Sequence, residues 1–302
     1  MMDKRVKLSD SLSVSRIVHG HWRLGDWSLN DQQIYSLVEK LIEIGVTTFD
    51  HADIYGDYTC EEKFGRVLNL NNSLRDDIQL VTKCGIKLMS ANRPPQKVKY
   101  YEYSYRHIVE SVENSLRNLN TSHIDLLLLH RPSPFFDYDE VAKAFSDLKK
   151  ESKVLNFGVS NFSQQQFELL NAYVDGSLVT NQIEVSPYCL EHFDNGNMDY
   201  LTANKIPPMA WSPIAGGGLI KPQNENQQRI IKVLSEVAQE LDVEDNDKVI
   251  YSWLLKHPSK IIPIVGSGRF SRIKSAVDAL ELKMSLEQWF RIYIASAGKE
   301  LP

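Results

Sequence analysis

A chain of 302 residues, 42% hydrophobic and 10% aromatic, can bury a large core, and at this length a single domain is expected to be a large α/β unit. A formal net charge of −5 with no long block of like charge argues against nucleic acid or anionic membrane as a partner, which leaves small-molecule chemistry. Three scattered cysteines, Cys60, Cys84 and Cys189, form neither a disulfide framework nor a C-x-x-C metal or redox pair; with no signal-peptide stretch and no apolar run of ~18 residues, the expected location is a reducing cytoplasm.

The elements alternate along the chain. KLSDSLSVS (7–15) has the makings of a small hairpin, and SRIVHG (15–20) reads as the first buried strand. IYSLVEKLIEI (34–44) repeats apolar residues at helical spacing, and GVTTFD (45–50) is the next strand. IQLVTK (78–83), IDLLLLH (124–130), VLNFGVS (154–160), LVTNQIE (178–184), IPPMAW (206–211) and IIPIVG (261–266) bring the strands to eight. Helical periodicity recurs at 107–119, 140–150 and 167–174, with Ser163 and Gln166 forming an S-x-x-Q capping box before the last of these. SLEQWFRIYIASAG (285–298) reads as one helix beyond the basic count. The pattern fits a single-domain (β/α)8 TIM barrel over 1–302, with a short N-terminal hairpin and an extra C-terminal helix; an open doubly wound sheet shares most of it.

A barrel places its chemistry at the carboxyl ends of its strands. The polar residues there are His19 to Trp22, Asp50, Lys83, His130, Ser160 and Asn161, Gln182, Trp211 and Ser212, and Gly266 and Ser267. Taken singly each has a bland reading: Asp50 as a turn residue, Tyr55 as a rim phenol, Lys83 as a solvated charge, His130 as a core histidine. Taken together they make a chemical set. A phenol that donates a proton near neutrality needs its pKa drawn down from ~10, and a neighbouring ammonium does that. Lys83 would act so on Tyr55, Asp50 would hold Lys83, and His130 would orient a substrate carbonyl oxygen.

The motifs D-x-A-x-x-Y-G at 50–56, V-T-K at 81–83, L-L-H-R-P at 128–132, G-V-S-N at 158–161, N-Q-I-E at 181–184 and A-W-S-P at 210–213 occur in one order over nearly the whole chain. In this the sequence resembles the aldo-keto reductases, and among them the bacterial YdhF-type oxidoreductases. The resemblance implies a tetrad of Asp50, Tyr55, Lys83 and His130 with Tyr55 as general acid, and a nicotinamide cofactor, NADP in preference to NAD, across the barrel mouth. It implies that Ser160, Asn161 and Gln182 bond the carboxamide and that Trp211 stacks on the nicotinamide.

Gly20, His21 and Trp22 would also border the cofactor. SPIAGGGLI, through Ser212, Ile214, Ala215, Gly216, Gly218 and Leu219, would admit the pyrophosphate close to the backbone. The stretch has no G-x-G-x-x-G spacing, which argues against a Rossmann site. Gly266, Ser267 and Gly268 would present donors at a helix start, and Arg269, Arg272 and Lys274 add positive charge; Arg272 matches the family's phosphate-binding arginine. Two departures stand out. Ser275 and Ala276 replace the usual Glu-Asn pair at the adenine, and Arg131 follows His130 where many members have Trp. Trp22, Tyr58 and Arg131 are therefore the candidates to line the substrate pocket, which favours polar or acidic carbonyl compounds. Two other classes stay open: a Schiff-base lyase using Lys83, and an NADP-binding sensor with little turnover.

Overall fold

The computed structural model describes residues 3–302. Eight parallel strands, Val18–Gly20, Thr48–Asp50, Gln79–Cys84, Leu126–Leu129, Phe157–Ser160, Leu178–Glu184, Met209–Trp211 and Ile262–Val265, pair in chain order, and the eighth closes onto the first. The result is a single-domain TIM barrel with helices around it. The apolar runs form strands because both faces are covered: Leu126 to Leu129 and Ile262 to Val265 are buried at every position. Several strands are shorter than their apolar runs. The seventh starts at Met209, since Pro207 and Pro208 bring no N–H to the ladder, although the Pro208 carbonyl accepts from Ile262 N at 2.8 Å.

The barrel interior is a compact apolar cluster of Val18, Val81, Leu126, Leu128, Met209, Ile262 and Ile264. An antiparallel hairpin, Arg5–Lys7 with Ser13–Ser15, adds Val6, Leu12 and Val14 to that cluster and so stoppers one end. It begins two residues before the expected 7–15 because Val6, opposite Val14, is needed to fill the interior. Arg5 fastens it to the starts of the second and third strands, through Thr47 Oγ1 at 2.9 Å and Gln79 Oε1 at 3.0 Å. Only the carboxyl ends remain open.

The helices Asp31–Glu43, Tyr105–Asn118, Tyr138–Lys150 and Gln164–Tyr173 lie where the periodicity placed them, each starting two or three residues earlier at its capping residue. The Ser163 box closes in both directions, at 2.9 and 3.3 Å. The last helix, Leu286–Ala297, opens on another such box at Ser285 and packs Trp289 flat on Trp253, 5.0 Å between ring centres. Two helices not singled out from sequence, Glu225–Glu240 and Asn246–Lys256, separate the seventh and eighth strands. Among the described residues no helix is long and apolar enough to cross a membrane.

Candidate active site

The barrel ladder runs one to three residues past the strands, and this fixes the site. His51 N donates to Val81 O at 2.8 Å, Asp53 N to Lys83 O at 3.0 Å, His130 N to Cys84 O at 3.0 Å and Asn161 N to Gln182 O at 2.9 Å. Asp50, Lys83 and His130 thus leave adjacent strand ends toward one point. Tyr55 arrives from the turn after the second strand, where Gly56, Asp57 and Tyr58 all take left-handed conformations with φ of 57, 54 and 69°. Gly56 has no substitute there, since a Cβ would lie 2.5 Å from Cys60 Sγ. Asp57 and Tyr58 carry the strain, about 1–2 kcal/mol each.

All three protons of the Lys83 ammonium are spoken for: Asp50 Oδ2 accepts at 2.7 Å, the His51 carbonyl at 2.8 Å and Tyr55 Oη at 2.9 Å. Gln182 Nε2 donates to the other Asp50 oxygen at 2.8 Å. Because Tyr55 Oη accepts from Lys83, its own hydrogen has no protein acceptor among the described residues and is free for the cleft. His130 presents its ring edge-on to Tyr55, 6.0 Å between centres, and its Nδ1 is buried without a partner.

Burial alone would pull the Lys83 amine down, but Asp50 and Tyr55 outweigh it and hold the ammonium above its ordinary value. The Tyr55 phenol goes the other way from the sequence expectation. Burial raises it and Lys83 only partly offsets that, so without ligands the phenol is held protonated. His130 is kept neutral, first by burial and then by Lys83, Arg131 and Lys99.

Asp50, Tyr55 and His130, but not the fully buried Lys83, line one cleft of about 1070 Å³ that runs from Trp22, Tyr55 and His130 past Trp211 to Arg272 and Ser275. Gly20, Ser160, Asn161, Gln182, Ser212, Ile214, Gly216, Leu219, Gly266 and Ser267 are on its wall as well. Asn161, in a left-handed conformation, donates to Ser160 Oγ at 2.8 Å and accepts from Trp211 Nε1 at 2.9 Å, which pins the indole. Arg131 lies 5.6 Å from the Trp211 ring centre on the cleft wall.

Some candidates fall elsewhere. His21 is fully buried, bonded to His19 and His51 behind the wall, because its side chain points into the layer under the helices. Tyr58 is carried by the left-handed turn to a separate cavity of about 380 Å³ beside Asp53 and Arg93. Ala215, Gly218 and Gly268 are not on the cleft wall; Gly218 abuts Gln227 and Gly268 abuts Trp27. The cleft also includes residues the sequence did not flag. Arg23 and Lys99 sit with Arg131 near the tetrad, and Ser235, Glu244, Asp245, Asn246, Asp247 and Tyr251 lie at the far end. Among the described residues Arg23, Lys99, Arg131 and Arg272 make no ion pair.

Comparison with known proteins agrees with the geometry. A family model described as "Aldo/keto reductase family" matches residues 16–296. The chain is 44% identical to the oxidoreductase YdhF of Escherichia coli, over 95% of each chain. It is 42% identical to a 6-dehydroglucose reductase of Agrobacterium fabrum, over 99% of each. An aldo/keto reductase from Klebsiella pneumoniae solved in complex with NADP and acetate is 24% identical and superposes with a TM-score of 0.77 over 96% of this chain and 94% of that one.

Proposed function

This chain belongs to the aldo/keto reductase family, and we propose that it reduces a polar aldehyde or ketone with NADPH, Tyr55 giving the proton. The observation that carries the reading is the Asp50–Lys83–Tyr55 chain at 2.7 and 2.9 Å, with the phenol hydrogen left over for the cleft. The cleft suits an extended dinucleotide. At its tetrad end Trp211 offers a pinned aromatic face. Along the middle, nothing stands within 4 Å of where side chains of Gly216 and Gly217 would begin, so a phosphate has room to approach the backbone closely. Toward the far end Arg272 has no carboxylate partner, which favours NADP over NAD. The solved relative's complex with NADP supports the same choice.

When bound, that cofactor supplies the hydride to a carbonyl carbon. Tyr55 then delivers its proton to the carbonyl oxygen, and the phenolate left behind is stabilised by the Lys83 ammonium, which Asp50 keeps charged and in place. His130, held neutral on the cleft wall beside Tyr55, bonds the substrate oxygen and orients it. Arg23, Lys99 and Arg131 ring this end with donors that suit hydroxyl or acidic groups on the substrate. Because one relative is named a 6-dehydroglucose reductase, sugar aldehydes are the first substrates to try. A Schiff-base role for Lys83 is disfavoured: the amine is fully buried, held charged, and has spent every proton on a fixed partner.

The test is oxidation of NADPH, and separately NADH, with a panel of sugar aldehydes, simple aldehydes and ketones. Turnover preferring NADPH supports the reading. Tight NADPH binding with no turnover on any carbonyl would instead make the chain a cofactor sensor.

A further inference from the structure

Behind the tetrad, three fully buried imidazoles make a continuous chain. His19 Nε2 lies 2.9 Å from the Ser267 carbonyl, His21 Nε2 3.0 Å from His19 Nδ1, and His21 Nδ1 2.9 Å from His51 Nε2. Its polarity follows from one end. The Ser267 carbonyl can only accept, so His19 donates from Nε2, and its Nδ1 must accept from His21 Nε2. His21 Nδ1 then accepts from His51 Nε2, and His51 Nδ1 ends the chain without a partner. Each ring is neutral because burial pushes its pKa down, that of His19 to about 4. Trp27, Phe49 and Phe64 surround the rings, so apolar residues would pack here without an orphaned nitrogen, which costs about 1–3 kcal/mol.

The two ends explain why a polar chain stands there. Ser267 is on the cleft wall, in the Gly266–Gly268 loop, and Gly268 rests on Trp27, which stacks on His19 at 5.2 Å. At the other end the His51 carbonyl takes one of the three protons of Lys83, at 2.8 Å. The chain therefore runs from the loop at the phosphate side of the cleft to His51, the residue whose backbone carbonyl holds the ammonium that faces Tyr55. We propose that His19, His21 and His51 are positioning residues: the His19 end steadies the 266–268 loop where the dinucleotide seats, and the His51 end steadies the carbonyl that holds Lys83 against Tyr55. This rests on the cofactor reading above.

Variants of His21 and His51 separate the two ends. His21→Asn keeps an acceptor for His51 and loses reach to His19, whereas His21→Gln keeps the donor to His19 and loses His51. NADPH dissociation constants come from quenching of the nicotinamide fluorescence, and turnover is measured at saturating cofactor. His21→Asn is expected to raise the dissociation constant on the order of tenfold with turnover nearly kept, and His21→Gln to do the reverse, the value of about one hydrogen bond each. His51→Gln, which retains the Nε2-like donor, is expected to stay close to the parent in both constants, while His51→Leu loses turnover alone. Equal damage in both constants for all variants, equal damage by Gln and Leu at position 51, or a change in melting temperature only would overturn the inference. A parent chain that binds no NADPH would instead overturn the cofactor reading beneath it.

Discussion

The two ends of the cleft are built on opposite plans. At the tetrad end Lys83 is fully buried and Asp50 nearly so, every donor of the ammonium is used, and the groups hang from strand ends joined by barrel hydrogen bonds. At the far end Glu244, Asp245, Asn246 and Asp247 face Arg272 and Ser275 across a partly exposed junction of helices, where Asp247 Oδ1 accepts from Ser275 Oγ at 3.0 Å. The first end is preorganised and dry, which suits proton transfer. The second is wet and mixed in charge, which suits recognition that exchanges with solvent.

If that contrast holds, the largest effect comes from the dry end. Lys83→Met leaves Asp50 a buried carboxylate held by Gln182, and should cost about 3–5 kcal/mol of stability. Turnover should drop by roughly 10³ or more, because the Tyr55 phenolate loses its cation. Denaturant unfolding and steady-state rates read the two losses separately, and a variant that stays stable and active would break the comparison at its strongest point.

Acid should find the same region next. The folded pKa of His19 is depressed from 6.5 to about 4, so between those values the unfolded chain binds the extra proton. Stability contributed by keeping His19 neutral is fully present above about pH 6.5 and is lost as pH falls toward 4, roughly 3 kcal/mol for this residue. His21 and His51 shift in the same direction and add to it. Urea midpoints measured from pH 7.5 down to 4 should fall steeply in the parent and less steeply in a His19→Phe variant.

The wet end predicts smaller, selective changes. Arg272→Ala should weaken NADPH on the order of tenfold to a hundredfold, the loss of one charge-assisted contact, and leave NADH and turnover nearly unchanged. Equal weakening of both dinucleotides would move the phosphate contact elsewhere. The smallest expected effect is that of salt: raising ionic strength should loosen NADPH a few fold through screening at the exposed end, with turnover at saturation unmoved because the charged pair Asp50 and Lys83 is buried.

The same contrast governs what could be read from sequence. The eight strands and the tetrad were legible because a buried parallel strand is an unbroken apolar run, and its first polar residue marks the mouth, as at Asp50, Lys83 and His130. Neighbours across strands leave no such mark. His21 sits next to Trp22 in sequence, yet its ring turns inward to His51, 30 residues away, while Trp22 lies on the cleft. Tyr58 is three residues from Tyr55, but three left-handed residues in a row send it to another cavity. The helix Glu225–Glu240 did carry a signal, Ile230, Leu234 and Val237 at helical spacing. The acids of E-D-N-D at 244–247 carried none, since a charged cluster before a helix looks the same whether it meets solvent or a ligand.

The most direct test is Tyr55→Phe, measured for NADPH binding and for single-turnover reduction of an aldehyde that the parent accepts. The variant loses only the phenol oxygen that Lys83 holds at 2.9 Å. Unchanged NADPH binding with reduction slowed by roughly 10²–10⁴ is the predicted result for a general acid. Reduction at near the parent rate would contradict it and leave Tyr55 as a packing residue.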